Sequence, residues 1–319
     1  MSDPAPASVE TLPGAITAII LTRDESIHIG RCIERLRPLA DRIIVVDSFS
    51  TDDTVAIATA AGAEVWLHEF ENYALQYQWA LDTLGQTDGW IVRIDADEWF
   101  EEKAIAALRQ RIATAPADLA AFDIRRKVYF RGRWIRWGGY YNVILTRAWR
   151  SGAARIEQRW MDEHIIVERG RVERITEGDL VDENLKDITD WTAKHNGYTT
   201  RQMVDFINLE FPLIPRSAEG DAPLTKAAGL KRFLRNGVYA RAPLYLRALL
   251  YFLQRYILRL GFLDGRQGLV FHTLQGFWNF FLMDAKVDEA RTFIAHHGLD
   301  AFRVHLDERY GIKLAVPTE

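Results

Sequence analysis

Trp90-Ile91-Val92-Arg93-Ile94-Asp95-Ala96-Asp97-Glu98-Trp99 is a β-rich run that ends abruptly in three carboxylates. Ile91, Val92 and Ile94 favour a buried strand. Asp95, Asp97 and Glu98 can follow them into a core only with partners. Two carboxylates spaced i, i+2 at a strand end, with a small Ala between them, leave room for a hard cation. Mg²⁺ or Mn²⁺ held by one or two carboxylates completes its shell with water and phosphate oxygens. Open α/β sheets bind ligands just past the carboxyl ends of their strands. The stretch therefore suits a metal–diphosphate site, while a plainer reading has Asp95 or Asp97 capping a helix that starts near Glu101.

The chain before it decides the fold. Residues 15–21 (AITAIIL) read as a buried strand broken by Thr22-Arg23-Asp24-Glu25, and Ile29, Cys32, Ile33 and Leu36 then keep a helical period as far as Pro38. Residues 42–46 (RIIVV) form a second strand ending at Asp47, and Ser48-Phe49-Ser50-Thr51-Asp52 is a turn. Val55, Ile57 and Ala58 continue as a helix to Gly62, residues 64–67 are a short strand, and residues 73–84 an amphipathic helix. Strands alternating with helices predict an α/β, doubly wound, mostly parallel sheet. Its polar groups gather where strands end: Thr22, Arg23 and Glu25; Asp47; Asp95 and Asp97. There is no G-x-G-x-x-G and no G-K-[ST], so the dehydrogenase and P-loop classes lose their phosphate loops. A nucleotide here must be gripped by side chains and metal.

In that order, T-R-D-E, I-I-V-V-D-S-F-S-T-D-D-T and R-I-D-A-D-E resemble the family-2 glycosyltransferases of the GT-A fold, most closely the bacterial lipopolysaccharide-core and exopolysaccharide branch. The resemblance spans roughly residues 15–170. It implies that Thr22, Arg23 and Glu25 line a nucleotide pocket, that Asp47 contacts the base or ribose, that Asp95 lies near the nucleotide and that Asp97 ligates Mg²⁺ or Mn²⁺. The family often has Tyr-Asn-Glu where this chain has Arg23-Asp24-Glu25. From the residues alone, Asp47 and Asp52 also suit helix caps, and Glu25 an ion pair.

Residues 121–130 and 141–149 read as strands. Between them, Arg131-Gly132-Arg133-Trp134-Ile135-Arg136-Trp137-Gly138-Gly139 interleaves cations with aromatics, as a sugar- or phosphate-bearing acceptor would need. Arg159-Trp160-Met161-Asp162-Glu163-His164 then places a carboxylate pair before an apolar strand. Inverting transfer to a hydroxyl needs a general base opposite the leaving diphosphate. By the resemblance Glu163 fills that role, with Asp162 second. An ion pair with Arg155 or Arg159 is the alternative for either. His164 is a candidate further metal ligand or a hydrogen-bonded structural residue.

The composition is that of an ordinary globular protein: 319 residues, 48% hydrophobic and 26% charged. One cysteine, Cys32, rules out an intramolecular disulfide and suits a reducing compartment. The first 14 residues read as a flexible polar tail without signal-peptide features. The formal net charge of −4 hides a segregation. Residues 222–263 carry eight Lys and Arg and no acidic residue, leaving −12 for the rest. Helical character is expected over 188–209, ended by Pro212 and Pro215, with a linker over 214–225. Residues 243–262 (PLYLRALLYFLQRYILRLGF) place Arg247, Tyr251, Arg255 and Arg259 four apart, on one face of a helix suited to an anionic membrane surface; arginines paired inside the protein are the alternative. Residues 268–282 form a second apolar stretch, after a Gly-Phe-Leu-Asp-Gly turn also found in the resembling branch, and 284–312 a helical cap. No stretch is apolar enough to span a bilayer.

The expectation is a glycosyltransferase domain over 15–213 and a helical membrane-interface region over 226–319. The chain would move a sugar with inversion from a nucleotide diphosphate, UDP favoured, to a lipid-linked saccharide at the cytoplasmic face of the inner membrane, without a nucleic-acid partner. A sugar-phosphate nucleotidyltransferase and a non-catalytic membrane-bound scaffold are the alternatives. The first would carry a Gly-rich loop and a Lys after the first strand, which Thr22-Arg23-Asp24-Glu25 lacks.

Overall fold

The computed structural model describes residues 14–157, 164–213 and 243–314. Asp162, Glu163 and Arg159, with the expected tail and linker, lie outside them. The chain divides into two compact units, residues 1–186 and 187–319.

The first unit is built on a large, mostly parallel sheet. β1 (Ile16–Thr22), β2 (Arg42–Asp47), β3 (Glu64–Leu67) and β4 (Trp90–Asp95) run parallel, linked by α1 (Ser26–Leu36), α2 (Thr54–Ala60) and α3 (Tyr73–Leu84). After β4 come β5 (Glu98–Phe100), α4 (Glu102–Ala113), β6 (Leu119–Phe130), β7 (Arg133–Trp134), β8 (Ile144–Arg150), β9 (Ala154–Ile156), β10 (Ile165–Val167) and β11 (Arg171–Glu183). The sheet order is β3-β2-β1-β4-β8-β6-β11-β5, with β7 on β6 and with β9 and β10 as a separate antiparallel pair. β8 is antiparallel to both β4 and β6, β11 is parallel to β6, and β5 is antiparallel to β11.

The central strands are apolar on both faces because helices cover both. Ile16, Ala18 and Ile20 of β1 pack with Ile29, Cys32, Ile33 and Leu36 of α1, and Ile19 packs on the other face with Tyr77, Ile91 and Trp149. Each such buried aliphatic side chain contributes about 1.5–3 kcal/mol, enough to make the sheet a rigid base for its strand-end loops. Cys32 is core, as expected. Burial, then Glu98, Asp97 and Asp95, push its thiol well above the usual range, which leaves it unreactive.

β11 is the longest of the strands that the sequence reading lacked. It has 13 residues, of which only Ile175, Asp179, Leu180 and Val181 are buried, and its register on β6 shifts between Ile175 and Leu180. Its alternation is therefore broken and its composition polar. It nonetheless lies between β6 and β5 and brings Asp182 opposite Glu98.

The second unit is helical. α5 (Ile188–Glu210), grouped with the sheet in the sequence reading, belongs here and packs on α8 (Asn279–His297). Asp187 caps it by accepting from Asp190 N at 3.0 Å. α6 (Leu246–Leu253) passes into a π-helical turn (Gln254–Leu258), then a 3₁₀ turn (Gly261–Asp264), α7 (Gly265–Phe271), a second π-helical segment (His272–Trp278), α8 and α9 (Leu299–Tyr310).

The expected arginine face does not form. Arg247 is buried: Nε donates to Asp284 Oδ1 at 2.7 Å, and the guanidinium lies 4.9 Å from the Phe206 ring centre. The π turn, marked by Arg259 N donating to Gln254 O at 2.9 Å, adds a residue and breaks the four-residue period between Arg255 and Arg259. Arg255 lies over the Tyr251 ring and donates to its hydroxyl. Among the described residues no helix is long and apolar enough to cross a membrane.

Candidate active site

The carboxyl ends of β1, β2 and β4 meet along one sheet edge, since Thr22 is in register with Asp47 and Leu21 with Asp95. Thr22 and Asp47 are buried there, and Thr22 Oγ1 donates to Asp47 Oδ2 at 2.7 Å. Ser50 N donates to Asp47 Oδ1 at 2.7 Å and Ser50 Oγ to Oδ2 at 2.6 Å. Both oxygens of Asp47 thus hold the loop after β2 against the end of β1. Behind them Gln76 Nε2 donates to Ser48 Oγ, while Gln76 Oε1 meets His68 Nδ1 at 2.7 Å.

The loop after β1 is laced to the loop after β2. Asp24, at φ 53, donates its N–H to Ser50 Oγ at 2.8 Å and accepts from Thr51 N at 2.8 Å. Glu25 N donates to Thr54 Oγ1 at 2.8 Å. Asp52 accepts from Ser26 N and Thr54 N, so it bridges the two loops; the residue in the N-cap position of α2 is Asp53 instead. Partial burial raises its pKa, but hydrogen bonds from Thr54 and Ser26 outweigh that and hold the carboxyl at about 2. Arg23 is exposed beside this lacing.

Residues after β11 close the first loop from the other side. Leu185 N donates to His28 Nε2 at 2.8 Å, which leaves the ring proton on Nδ1 to donate to Glu25 Oε2 at 2.6 Å. Lys186 Nζ donates to Asp24 O at 2.6 Å and lies 3.2 Å from Glu25 Oε1. Glu25 thus pairs with His28 and Lys186. Arg31 holds Glu183 through Oε2 and the backbone carbonyl, both at 2.8 Å.

The acidic turn lies between β4 and β5. Glu98 goes into the core with partners: Arg147 Nη2 donates to Oε1 at 2.6 Å and Asp95 N to Oε2 at 3.0 Å. Burial pushes its carboxyl up, Arg147 pulls it back, and Asp95 and Asp182 push it up again. Asp95 keeps 40% of its side chain exposed, with Oδ2 3.6 Å from Arg147 Nη2. Asp97 is half-buried; Asn184 Nδ2 donates to its Oδ2 at 3.3 Å, and Glu183 N to its carbonyl at 3.0 Å. Neither aspartate caps α4: Glu101 precedes that helix and is spent on Lys127 and Asp179 N. Two accessible carboxylates at a strand end suit Mg²⁺ or Mn²⁺, which need only one or two from the protein. Among the described residues no three His, Cys, Asp or Glu side chains converge as a closed metal site.

His164 begins β10. Its Nδ1 is 3.1 Å from Glu157 Oε2 and its side chain is 58% exposed. In the acceptor-side loop Arg136 lies 5.4 Å from the Trp134 ring and 5.7 Å from Trp137, which stays exposed. Sequence reasoning missed Arg147, Asn184, Lys186 and His28. For the last three the only signal was the acidic Asp182-Glu183-Asn184 run at the end of the unrecognised β11.

The first unit is thus an α/β domain whose doubly wound, mostly parallel sheet carries laced loops and an acidic turn at the carboxyl ends of β1, β2 and β4. Residues 17–174 match the glycosyl transferase family 2 model. An uncharacterized glycosyltransferase of Rickettsia conorii is 43% identical over 89 residues, 28% of this chain and 31% of that protein. The lipopolysaccharide core biosynthesis glycosyltransferase LpsC of Rhizobium meliloti is 28% identical over 190 residues, 58% of this chain and 69% of that protein. The chain thus matches less than a third of the length of the Rickettsia conorii relative. Glucosyl-3-phosphoglycerate synthase of Mycobacterium tuberculosis, solved with Mn²⁺, UDP and glucosyl-3-phosphoglycerate, superposes with a TM-score of 0.29 at 23% identity, over 37% of this chain and 45% of that one. So loose a superposition assigns neither donor nor acceptor.

Proposed function

We propose that the chain is a metal-dependent, inverting glycosyltransferase that moves a sugar from a nucleotide diphosphate, UDP favoured, to a lipid-linked saccharide of lipopolysaccharide-core or exopolysaccharide type. The observation that carries the reading is the sheet edge itself, where the accessible Asp95 and Asp97 lie one strand from the laced Thr22–Asp47 loops inside a family 2 domain. The name of the Rhizobium meliloti relative supports an acceptor of lipopolysaccharide-core type; a place at the cytoplasmic face of the inner membrane is part of the proposal.

In this reading the nucleoside lies over the loops after β1 and β2. Thr22 and Asp47 act from beneath, holding the surface the base and ribose meet, and Glu25, pinned by His28 and Lys186, sets the loop that carries Arg23. Arg23, exposed, is placed to meet phosphate. Asp97, with Asp95 beside it, would hold Mg²⁺ or Mn²⁺, which when bound offsets the charge growing on the leaving diphosphate. Asn184 orients Asp97 through its Oδ2. Glu163, with Asp162 second, takes the proton of the acceptor hydroxyl, whose oxygen forms the new bond to the anomeric carbon as the bond to diphosphate breaks; one displacement inverts the configuration. His164, exposed three residues after Met161, is the remaining candidate ligand.

Calorimetry with UDP-, GDP-, ADP- and dTDP-sugars, each with Mn²⁺ and with chelator, tests the reading. One nucleotide class should bind only with metal, and Asp97→Ala should abolish that binding with the fold intact by circular dichroism. Unchanged affinity in Asp97→Ala would remove the metal assignment.

A further inference from the structure

The second unit contains a helical hairpin with an unusual tip. α6 and its π turn run antiparallel to α7, the second π segment and α8, as the ring pairs Tyr245–Phe281, Phe252–Phe277 and Tyr256–His272 record. The two legs are knotted at the turn. A Cβ at Gly261 would come within 2.6 Å of His272 Nε2 and 2.9 Å of Arg255 O, and one at Gly268 within 2.8 Å of Gly261 O. A turn packed this tightly has no room to fold its own side chains inward. Leu258 (77%), Phe262 (43%) and Leu263 (47%) are therefore exposed at the tip, with Ile257 beside them and Leu250 further up the same leg.

The exposed charges at the tip are cationic. Residues 243–283 hold four arginines and a single acidic residue, Asp264. Arg259 and Arg266 are exposed at the tip, whereas Asp264 is buried. Apolar side chains flanked by the exposed Arg259 and Arg266 match one kind of surface, an anionic lipid headgroup layer over acyl chains. A second copy of the tip would set arginine against arginine. Residues 214–242 carry six Lys and Arg against two acidic residues, so as a cover they would do the same.

We infer that the hairpin tip, Leu258, Phe262 and Leu263 flanked by Arg259 and Arg266, wedges into the interface of an anionic bilayer and docks the protein there. This replaces the arginine stripe through Arg247 with an apolar tip, and gives the lipid-borne acceptor reading above a physical anchor; it stands on the surface alone and does not need that reading. The depth is shallow, because Asp264 and the knotted glycines lie directly behind the tip.

The test is flotation of the full chain with phosphatidylcholine vesicles, with and without phosphatidylglycerol, at low and high salt. Wild type should float with the anionic vesicles. Leu258→Glu/Phe262→Glu should lower the bound fraction at least about tenfold, and Arg259→Gln/Arg266→Gln should remove the salt-sensitive part; both pairs are exposed, and thermal melts confirm folding. Wild type left in the soluble fraction overturns the inference. So does a glutamate variant that floats like wild type, or a wild-type dimer that the variant dissolves without any vesicle binding. Donor calorimetry on the same samples separates the two readings: flotation without donor binding removes glycosyl transfer and keeps the docking, and donor binding without flotation does the reverse.

Discussion

Replacing Arg247 by Met separates a buried pair from a membrane-facing cation. In the structure Arg247 is 2% exposed and Asp284 is fully buried. Asp284 accepts from Arg247 Nε at 2.7 Å and from Tyr245 N, also at 2.7 Å, and Arg247 Nη2 lies 2.5 Å from Oδ1. Methionine fills much of the stem volume and keeps contact with Phe206, so the main loss is the charge. Asp284 is then left in the core with one backbone N–H. Breaking a buried pair from one side costs about 3–5 kcal/mol, because the remaining ion has lost its solvation and its partner. At roughly 2–4 °C per kcal/mol this lowers the melting temperature by about 6–20 °C. Urea unfolding followed by circular dichroism measures it. Arg247→Met/Asp284→Leu should recover most of the loss, because a volume-matched apolar pair carries no desolvation penalty. If Arg247→Met stays within about 0.5 kcal/mol of wild type, or if the double variant is the less stable, the buried-pair reasoning is refuted. Vesicle binding by the folded single variant should be unchanged.

Arg147→Met should likewise destabilise the first unit by about 3–5 kcal/mol, since it strands the buried Glu98 carboxyl; urea unfolding checks it. Burial first, and then Arg255, lower the His272 pKa to about 4 from the ordinary 6.5. The unfolded chain therefore binds a proton between those values and the folded one does not, so this residue's contribution is complete above pH 6.5 and is lost as pH falls toward 4. The loss is at most about 3 kcal/mol, and His272→Gln should flatten that part of the stability–pH curve. Glu163→Gln should keep donor affinity and lower turnover ~10²–10⁴-fold, with full activity in the variant moving the base elsewhere.

The first half of the sheet was legible because its strands are continuous apolar runs between helix-period segments, and both faces of β1, β2 and β4 are covered. Thr22, Asp47, Asp95 and Asp97 could be placed on one edge from strand ends alone. The lacing of that edge was not legible. His28 and Lys186 are 158 residues apart, and the strand that carries Lys186 to its place buries too few apolar side chains to announce itself. Glu98 showed only that it needed a partner; Arg147, 49 positions on, was not readable as that partner. In the second unit the four-residue spacing of arginines was a real pattern with the wrong consequence, since a π turn shifts the period and Asp284 captures Arg247. The Arg131–Gly139 loop carried its aromatic–cation stacking openly, as Arg136 beside Trp134 and Trp137 shows.

The interleaving of β11 between β6 and β5 has a consequence for the making of the protein. The residues just after it supply Asn184 to Asp97, and Leu185 and Lys186 to the loop after β1, so the earliest strand is completed by the latest. A ribosome adding roughly 5–20 residues per second delivers residue 186 about 10–40 s after the start. Through that interval the nascent sheet holds an unfilled edge and an unlatched loop. In the proposed reading the site is completed in a single late step, when β11 enters the sheet, and a chain arrested shortly before Asp182 would carry the Asp95–Asp97 turn without the residues that set it.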